Sequence, residues 1–213
     1  YNFNNSIKKF YNSVMIKSDL LIAGSNFIFS HIQENYEKYL NRKKKFLVVF
    51  RGINTEYFDP ETLKQADVIK LKNSWKLDDG KKIILLPGRL TYWKGQEIFI
   101  ESLSKFRSTN PQIEFIGIIL GNDQGRKVYG KKLERLVQQH RLSDVIKFVE
   151  NCKIMPLAYE LADIVVSSSV EPEAFGRVAV EAQSMKKPII ASNIGGSNET
   201  IVNNKTGFLF ESG

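Results

Sequence analysis

From Lys82 onward the chain alternates short, wholly apolar runs with longer stretches in which apolar residues recur every three or four positions. The runs at 83–86, 115–120, 145–149, 164–166, 189–191 and 208–210 predict strands. The stretches at 95–107, 126–141, 155–162, 176–186 and 196–203 predict helices. Strands that alternate with helices imply an α/β fold, a doubly wound parallel sheet with its ligands at the carboxyl ends of the strands.

The first eighty residues are patterned differently. Phe3, Ile7, Phe10, Tyr11, Val14 and Met15 give residues 1–18 the spacing of an amphipathic helix. Asp19–Ala23 predicts a strand, Asn26–Tyr39 a helix with Phe27, Ile32 and Tyr36 available for burial, and Phe46–Phe50 a second strand. This α-β-α-β run holds too little sheet for its own core, so it is expected to be the end of another domain. Residues 51–61, with Gly52, Asn54 and Pro60 and no periodicity, predict a linker or hinge. Leu63–Leu77 predicts a helix turning Ala66, Ile69 and Trp75 to the core, ended by Asp78-Asp79-Gly80. The expected division is 1–58 for the remnant and hinge and 59–213 for a ligand-binding domain. The chain opens without Met and stops just after an apolar run, so both ends are expected to be cut.

Composition narrows the partners. The chain is 42% hydrophobic and 25% charged, as in ordinary globular proteins, and no apolar run approaches the roughly 20 residues that span a bilayer. Cys152 is the single cysteine, and His31 and His140 lie far apart, which excludes an intrachain disulfide and a His/Cys metal site. A reducing, cytoplasmic setting is expected. The net charge of +8 favours anionic partners, either nucleotide phosphates or anionic headgroups. The basic run Arg42–Lys45 is a solvated face or, alternatively, a point of membrane attraction. No helix-turn-helix, RNP or zinc pattern supports nucleic acid as a partner.

Chemistry concentrates in two stretches. The first predicted strand of the regular region runs into Gly88-Arg89-Leu90-Thr91-Tyr92-Trp93-Lys94-Gly95. Gly88 permits a tight exit, and Arg89 and Lys94 then flank a loop before a helix start, where a diphosphate is held by a bidentate guanidinium and a point charge. Neither the dinucleotide pattern G-x-G-x-x-G nor the P-loop pattern follows a strand here. The second stretch, Ser167–Ser192, crosses from a strand through Glu173 into a helix beginning near Phe175 or Gly176. Glu173 precedes that helix and Glu181 lies two turns inside it, close enough to core-facing Val178 and Met185 that its charge requires a partner. The backbone N–H groups of Phe175, Gly176, Arg177 and Val178 are candidate donors to an anion or a sugar. Gly195-Gly196-Ser197-Asn198-Glu199 is either a glycine turn with a helix cap or a ligand contact, whereas Gly121–Gly125 is read mainly as a turn.

Together GRLTYWKG (88–95), EAFGRVAVE (173–181), KPIIASNIGGSNE (187–199) and TGFLF (206–210) resemble the retaining nucleotide-sugar glycosyltransferases of family four, the glycosyl transferases group 1, which have the two-domain GT-B fold. The segments DLLIAGSNFI and VVFRGINTEYFDP look like the end of that family's first domain and its hinge. The resemblance implies that residues 59–213 form a Rossmann-like donor-binding domain. It implies catalytic roles for Arg89 and Lys94 on the donor diphosphate and for Glu173 on the donor sugar. Gly88, Phe175, Gly176, Arg177, Val178 and Glu181 would bind donor, Glu181 at the ribose, with backbone near Ile154 and Met155 facing the base. The implied reaction passes a hexosyl unit from a UDP, GDP or ADP sugar to a glycan or lipid-linked acceptor with retention, in lipopolysaccharide, capsule or glycolipid synthesis. No cofactor or metal is implied, and peripheral contact with the inner face of an anionic membrane fits the charge. Because the family's acceptor domain and closing C-terminal helix are not matched, this chain is expected to bind donor without full activity. The alternatives are a non-catalytic nucleotide or nucleotide-sugar binding module and a nucleic-acid-binding α/β domain.

Overall fold

A computed structural model describes residues 10–36, 45–125 and 127–212. The first half of the amphipathic stretch expected at 1–18, the end of the helix expected to reach Tyr39 and the basic residues Arg42 to Lys44 lie outside them. After a 3-10 turn at Ser13–Lys17 the chain forms β1 (Leu20–Ala23), α1 (Asn26–Tyr36) and β2 (Lys45–Val48), and β1 and β2 pair in parallel as a separate two-stranded sheet. Helix α2 (Gln65–Ser74) follows the irregular segment 49–59 and a short 3-10 turn at Pro60–Thr62. Strand β3 (Lys82–Pro87) then opens a regular series: α3 (Gln96–Thr109), β4 (Phe115–Leu120), α4 (Lys127–Gln139), β5 (Ile146–Val149), α5 (Met155–Leu161), β6 (Ile164–Ser167), α6 (Arg177–Ser184), β7 (Ile189–Ser192), α7 (Ser197–Thr200) and β8 (Phe208–Phe210).

The six later strands form one parallel sheet in the order β5-β4-β3-β6-β7-β8. The chain builds outward from β3 to β5, then crosses back to β6 and builds the other way. Neighbouring β3 and β6 therefore send their following loops in opposite directions, which opens a crevice at their carboxyl ends. Side chains alternate across each strand. Ile83 and Leu85 join the core under α5 and α6, while Ile84 and Leu86 join the one under α3 and α4. With both faces covered, a strand such as β4 is buried at every position, which explains the unbroken apolar runs.

Two expectations need correction. In α2 the stripe turned inward carries Val68, with Trp75 half-buried beyond it, and Ala66 and Ile69 are exposed. The helix begins at Gln65, and residues 68, 71 and 75 share the side that packs on α5, leaving 66 and 69 toward water. The helix expected at 196–203 is a single turn, Ser197–Thr200. Ile201 is already extended, and the Thr206 hydroxyl accepts from the Val202 N–H, bending the chain into β8.

Candidate functional site

The loop leaving β3 is fixed by main-chain bonds to the neighbouring strand end: Gly88 N–H donates to Leu120 O (2.8 Å) and Leu90 N–H to Asn122 O (2.9 Å). It then makes a turn at Tyr92–Lys94 and reaches Gly95. Gly95 has φ +67°, and a Cβ there would lie 1.7 Å from Ser168 O. Only glycine lets the two strand-end loops touch at this point. The contact is sealed by the Ser168 hydroxyl, which donates to Gly95 O (2.9 Å), and by Val170 N–H, which donates to Trp93 O (2.9 Å). Arg89 is exposed, its guanidinium carbon 5.8 Å above the Trp93 ring. Its carbonyl accepts from the fully buried Gln96 amide (2.8 Å), whose own oxygen accepts from Tyr129 (3.2 Å). Burial, with Glu97 nearby, raises the Tyr129 phenol well above its ordinary range, so it remains a donor.

Beyond β6 the second loop delivers Glu173 directly to the first. Glu173 Oε1 accepts from Lys94 Nζ at 2.6 Å and from the Ser169 hydroxyl at 2.5 Å. The Lys94 and Glu173 side chains are 17% and 16% exposed, so water screens the pair only partly. The main chain of Glu173 is held from behind: Gly196 N–H donates to Glu173 O (2.7 Å), and Gly195, at φ +62°, lies so close that a Cβ would come within 2.5 Å of the same oxygen. The Gly195-Gly196 pair is thus a backrest for the Glu173 loop. Glu199 reaches elsewhere, accepting from Asn26 N–H (2.8 Å) and Phe27 N–H (2.6 Å) at the start of α1.

Helix α6 starts after Gly176, with Phe175 buried behind it. Two turns on, Glu181 is 7% exposed and fully engaged: Oε2 accepts from the Tyr159 hydroxyl (2.7 Å) and Oε1 from Arg177 Nη2 (2.8 Å). The partner that burial of this charge demanded is therefore present twice over. Glu181 and Arg177 border a cavity of about 510 Å³ with Arg51, Asn54, Tyr57 and Met155. Residues 51–58 and α5 thus share one cleft with the second carboxylate.

The structure groups the sequence-derived residues into two clusters. Gly88, Arg89, Lys94 and Glu173 meet where the β3 and β6 loops touch, with Gly88 under the Lys94 stem (3.6 Å from a Cβ to Lys94 Cδ). Arg177 and Glu181 form the second cluster at the cavity wall, with Phe175 and Gly176 at the helix entry between the two. Val178 differs, since its partly buried side chain packs on the core. Ile154 is exposed, and Met155 lines the cavity. Sequence inspection missed Ser169, Gln96 and Tyr159. A serine in a serine run and a tyrosine in an apolar helix carry no periodic signal of their contacts, though three serines at a strand end do mark a polar pocket.

Fold and site together define a Rossmann-like α/β domain with a ligand crevice at its topological switch point. Residues 67–213 match the model of the family described as glycosyl transferases group 1. The chain belongs to that family, and its sheet is the Rossmann-like kind found in GT-B glycosyltransferases. It is 26% identical over 201 residues to a D-inositol 3-phosphate glycosyltransferase of Corynebacterium urealyticum, covering 93% of this chain and 46% of that protein. It is 30% identical over 176 residues to spore coat protein SA of Bacillus subtilis, covering 81% of this chain and 46% of that one. Among solved structures, a glycosyltransferase from Rickettsia africae superposes with a TM-score of 0.86 at 38% identity, covering 100% of this chain and 54% of that one. The Anabaena protein HepE in complex with UDP-glucose gives 0.78 at 26% identity, covering 92% of this chain and 50% of that one. This chain spans about half the length of these relatives.

Proposed function

We propose that residues 59–213 are the donor-binding domain of a retaining hexosyltransferase that uses a nucleoside-diphosphate sugar, and that residues 1–58 are the end of its acceptor-side domain with the hinge. The observation that carries this is the placement of cations and carboxylates around one crevice: Arg89 and Lys94 on the loop after β3, Glu173 against Lys94 just before α6, and Glu181 on the wall of the adjoining cavity. The diphosphate lies against Arg89, Lys94 and the N–H groups at the start of α6. Glu173 accepts from donor-sugar hydroxyls and Glu181 from the ribose, with the base toward Met155. As the bond from the anomeric carbon to the diphosphate breaks, the nucleoside diphosphate leaves with the electron pair, and the two cations stabilise its growing charge without a metal ion. The acceptor hydroxyl bonds through its oxygen to the same face of the sugar and gives its proton to the departing phosphate oxygen.

HepE has been solved with UDP-glucose and with UDP, so a UDP sugar is the first donor to test. The +8 charge suits an acceptor at an anionic membrane surface, a glycan or lipid-linked glycan of lipopolysaccharide, capsule or glycolipid synthesis in the cytoplasm. Among the described residues no helix is long and apolar enough to cross a membrane. Thermal unfolding in the presence of UDP, GDP, ADP and their sugars tests the reading. One base is expected to raise Tm by roughly 5–10 °C at a hundredfold excess over Kd. No shift with any of them overturns it.

A further inference from the structure

We propose that Tyr159 is a positioning residue for Glu181, its buried phenol fixing one carboxylate oxygen so that the other is presented to a ribose hydroxyl in the cavity. The inference rests on the donor-site reading above and adds a residue that touches no ligand itself. Glu181 has two partners of unlike character. Tyr159 is 0% exposed and donates to Oε2 from within the core. Arg177 holds Oε1 from a side chain that is 62% exposed. A solvated guanidinium at the end of a flexible stem swings away at little cost when a hydroxyl arrives; a packed phenol does not move. Tyr159 is itself held in register by its neighbours. Its ring stands edge-on to hinge residue Phe58 at 6.0 Å, and the Phe58 carbonyl accepts from Ser184 of α6 at 2.7 Å. Phe58 against the ring and Glu181 of α6 at the hydroxyl thus hold the Tyr159 side chain from both ends. Burial, and then the negative charge of Glu181, push the Tyr159 phenol well above its ordinary range, so it keeps its proton and the direction of donation is fixed.

A hydrogen bond to a buried carboxylate is among the stronger kinds, and phenylalanine removes it while keeping the shape. The test titrates the whole chain, wild type, Tyr159→Phe, Glu181→Gln and the double variant, calorimetrically with whichever of UDP, GDP or ADP binds and with its 2′,3′-dideoxy form. Tyr159→Phe is expected to weaken binding of the ribonucleotide about tenfold and to leave the dideoxy form within twofold, so that discrimination between the two collapses. In the Glu181→Gln background the Tyr159→Phe change is expected to add nothing. Wild-type discrimination retained in Tyr159→Phe, or equal weakening for both ligands, overturns the positioning role and leaves the donor site standing. Failure of the wild type to bind any of the nucleotides overturns the donor site, and this role with it.

Discussion

At the scale of single residues, the site depends on contacts too close for substitution. Gly95 is the clearest, because its missing side chain is what lets Lys94 approach Glu173 across the two loops. Gly95→Ala places a methyl group against the Ser168 carbonyl at a positive φ, and is expected to cost about 2 kcal/mol or more by urea denaturation. A loss under 0.5 kcal/mol would mean that the loops part without strain. Ser169→Ala removes the second donor to Glu173 and is expected to weaken sugar-nucleotide binding several-fold with little change in stability. Weakening of the bare nucleotide by the same factor would place Ser169's role outside the sugar contact. Arg89, Lys94, Glu173 and Glu181 were legible in the sequence because each sits at a fixed offset from a glycine or a helix start. Ser169 and Tyr159 were not: Tyr159 acts on a partner 22 residues away, and the Ser169 contact with Glu173, four residues on, depends on how the loop between them folds.

At the scale of elements, hydrophobic pattern located all six strands of the large sheet to within a residue or two, because the central strands are covered on both faces and run almost wholly apolar. Helices were harder. In α2 the sequence offers apolar residues on more than one side, and only packing against α5 selects the stripe through Val68 over Ile69. Charge pairs between elements add small, testable increments. Arg107 at the end of α3 makes a bidentate pair with Asp144 in the turn before β5, 2.7 Å for each bond. The hydrogen bond from Arg107 holds the Asp144 carboxyl below the usual carboxylate range. Both side chains are substantially exposed, so Asp144→Asn is expected to cost only about 0.5 kcal/mol at pH 7. A carboxyl whose pKa is lower in the folded state stabilises above its unfolded value of about 4 and loses that contribution as pH falls through the folded value. The gap between wild type and Asp144→Asn, read from urea denaturation at pH 7, 4 and 3, should therefore narrow toward acid. A gap that widens toward acid contradicts the assignment.

At the scale of the whole molecule, the segment around β1, β2 and α1 is joined to the large sheet at the site itself. The Ser25 hydroxyl donates to the carbonyl of Ala174, the residue between Glu173 and Phe175, at 2.6 Å, and Glu199 caps the start of α1. The sequence showed a change of pattern near residue 51, but it held no sign that Glu199 acts across that boundary, 173 residues from Asn26. Loss of a carboxylate cap costs about 1 kcal/mol. Glu199→Ala is accordingly expected to speed hydrogen exchange at the Asn26 and Phe27 amides several-fold and to leave β3 and β4 protected. Unchanged exchange at those amides would show that α1 is held by other contacts.

The donor site as a whole is tested most directly by calorimetric titration of a nucleoside-diphosphate sugar, UDP-glucose first, into wild type, Arg89→Ala and Glu181→Ala. These two changes fall on opposite sides of the crevice, one at the loop after β3 and one at the cavity wall. A ligand that spans from diphosphate to ribose should lose about tenfold or more in affinity with either change. Affinity unchanged in both variants would contradict the placement of the donor between the β3 loop and helix α6.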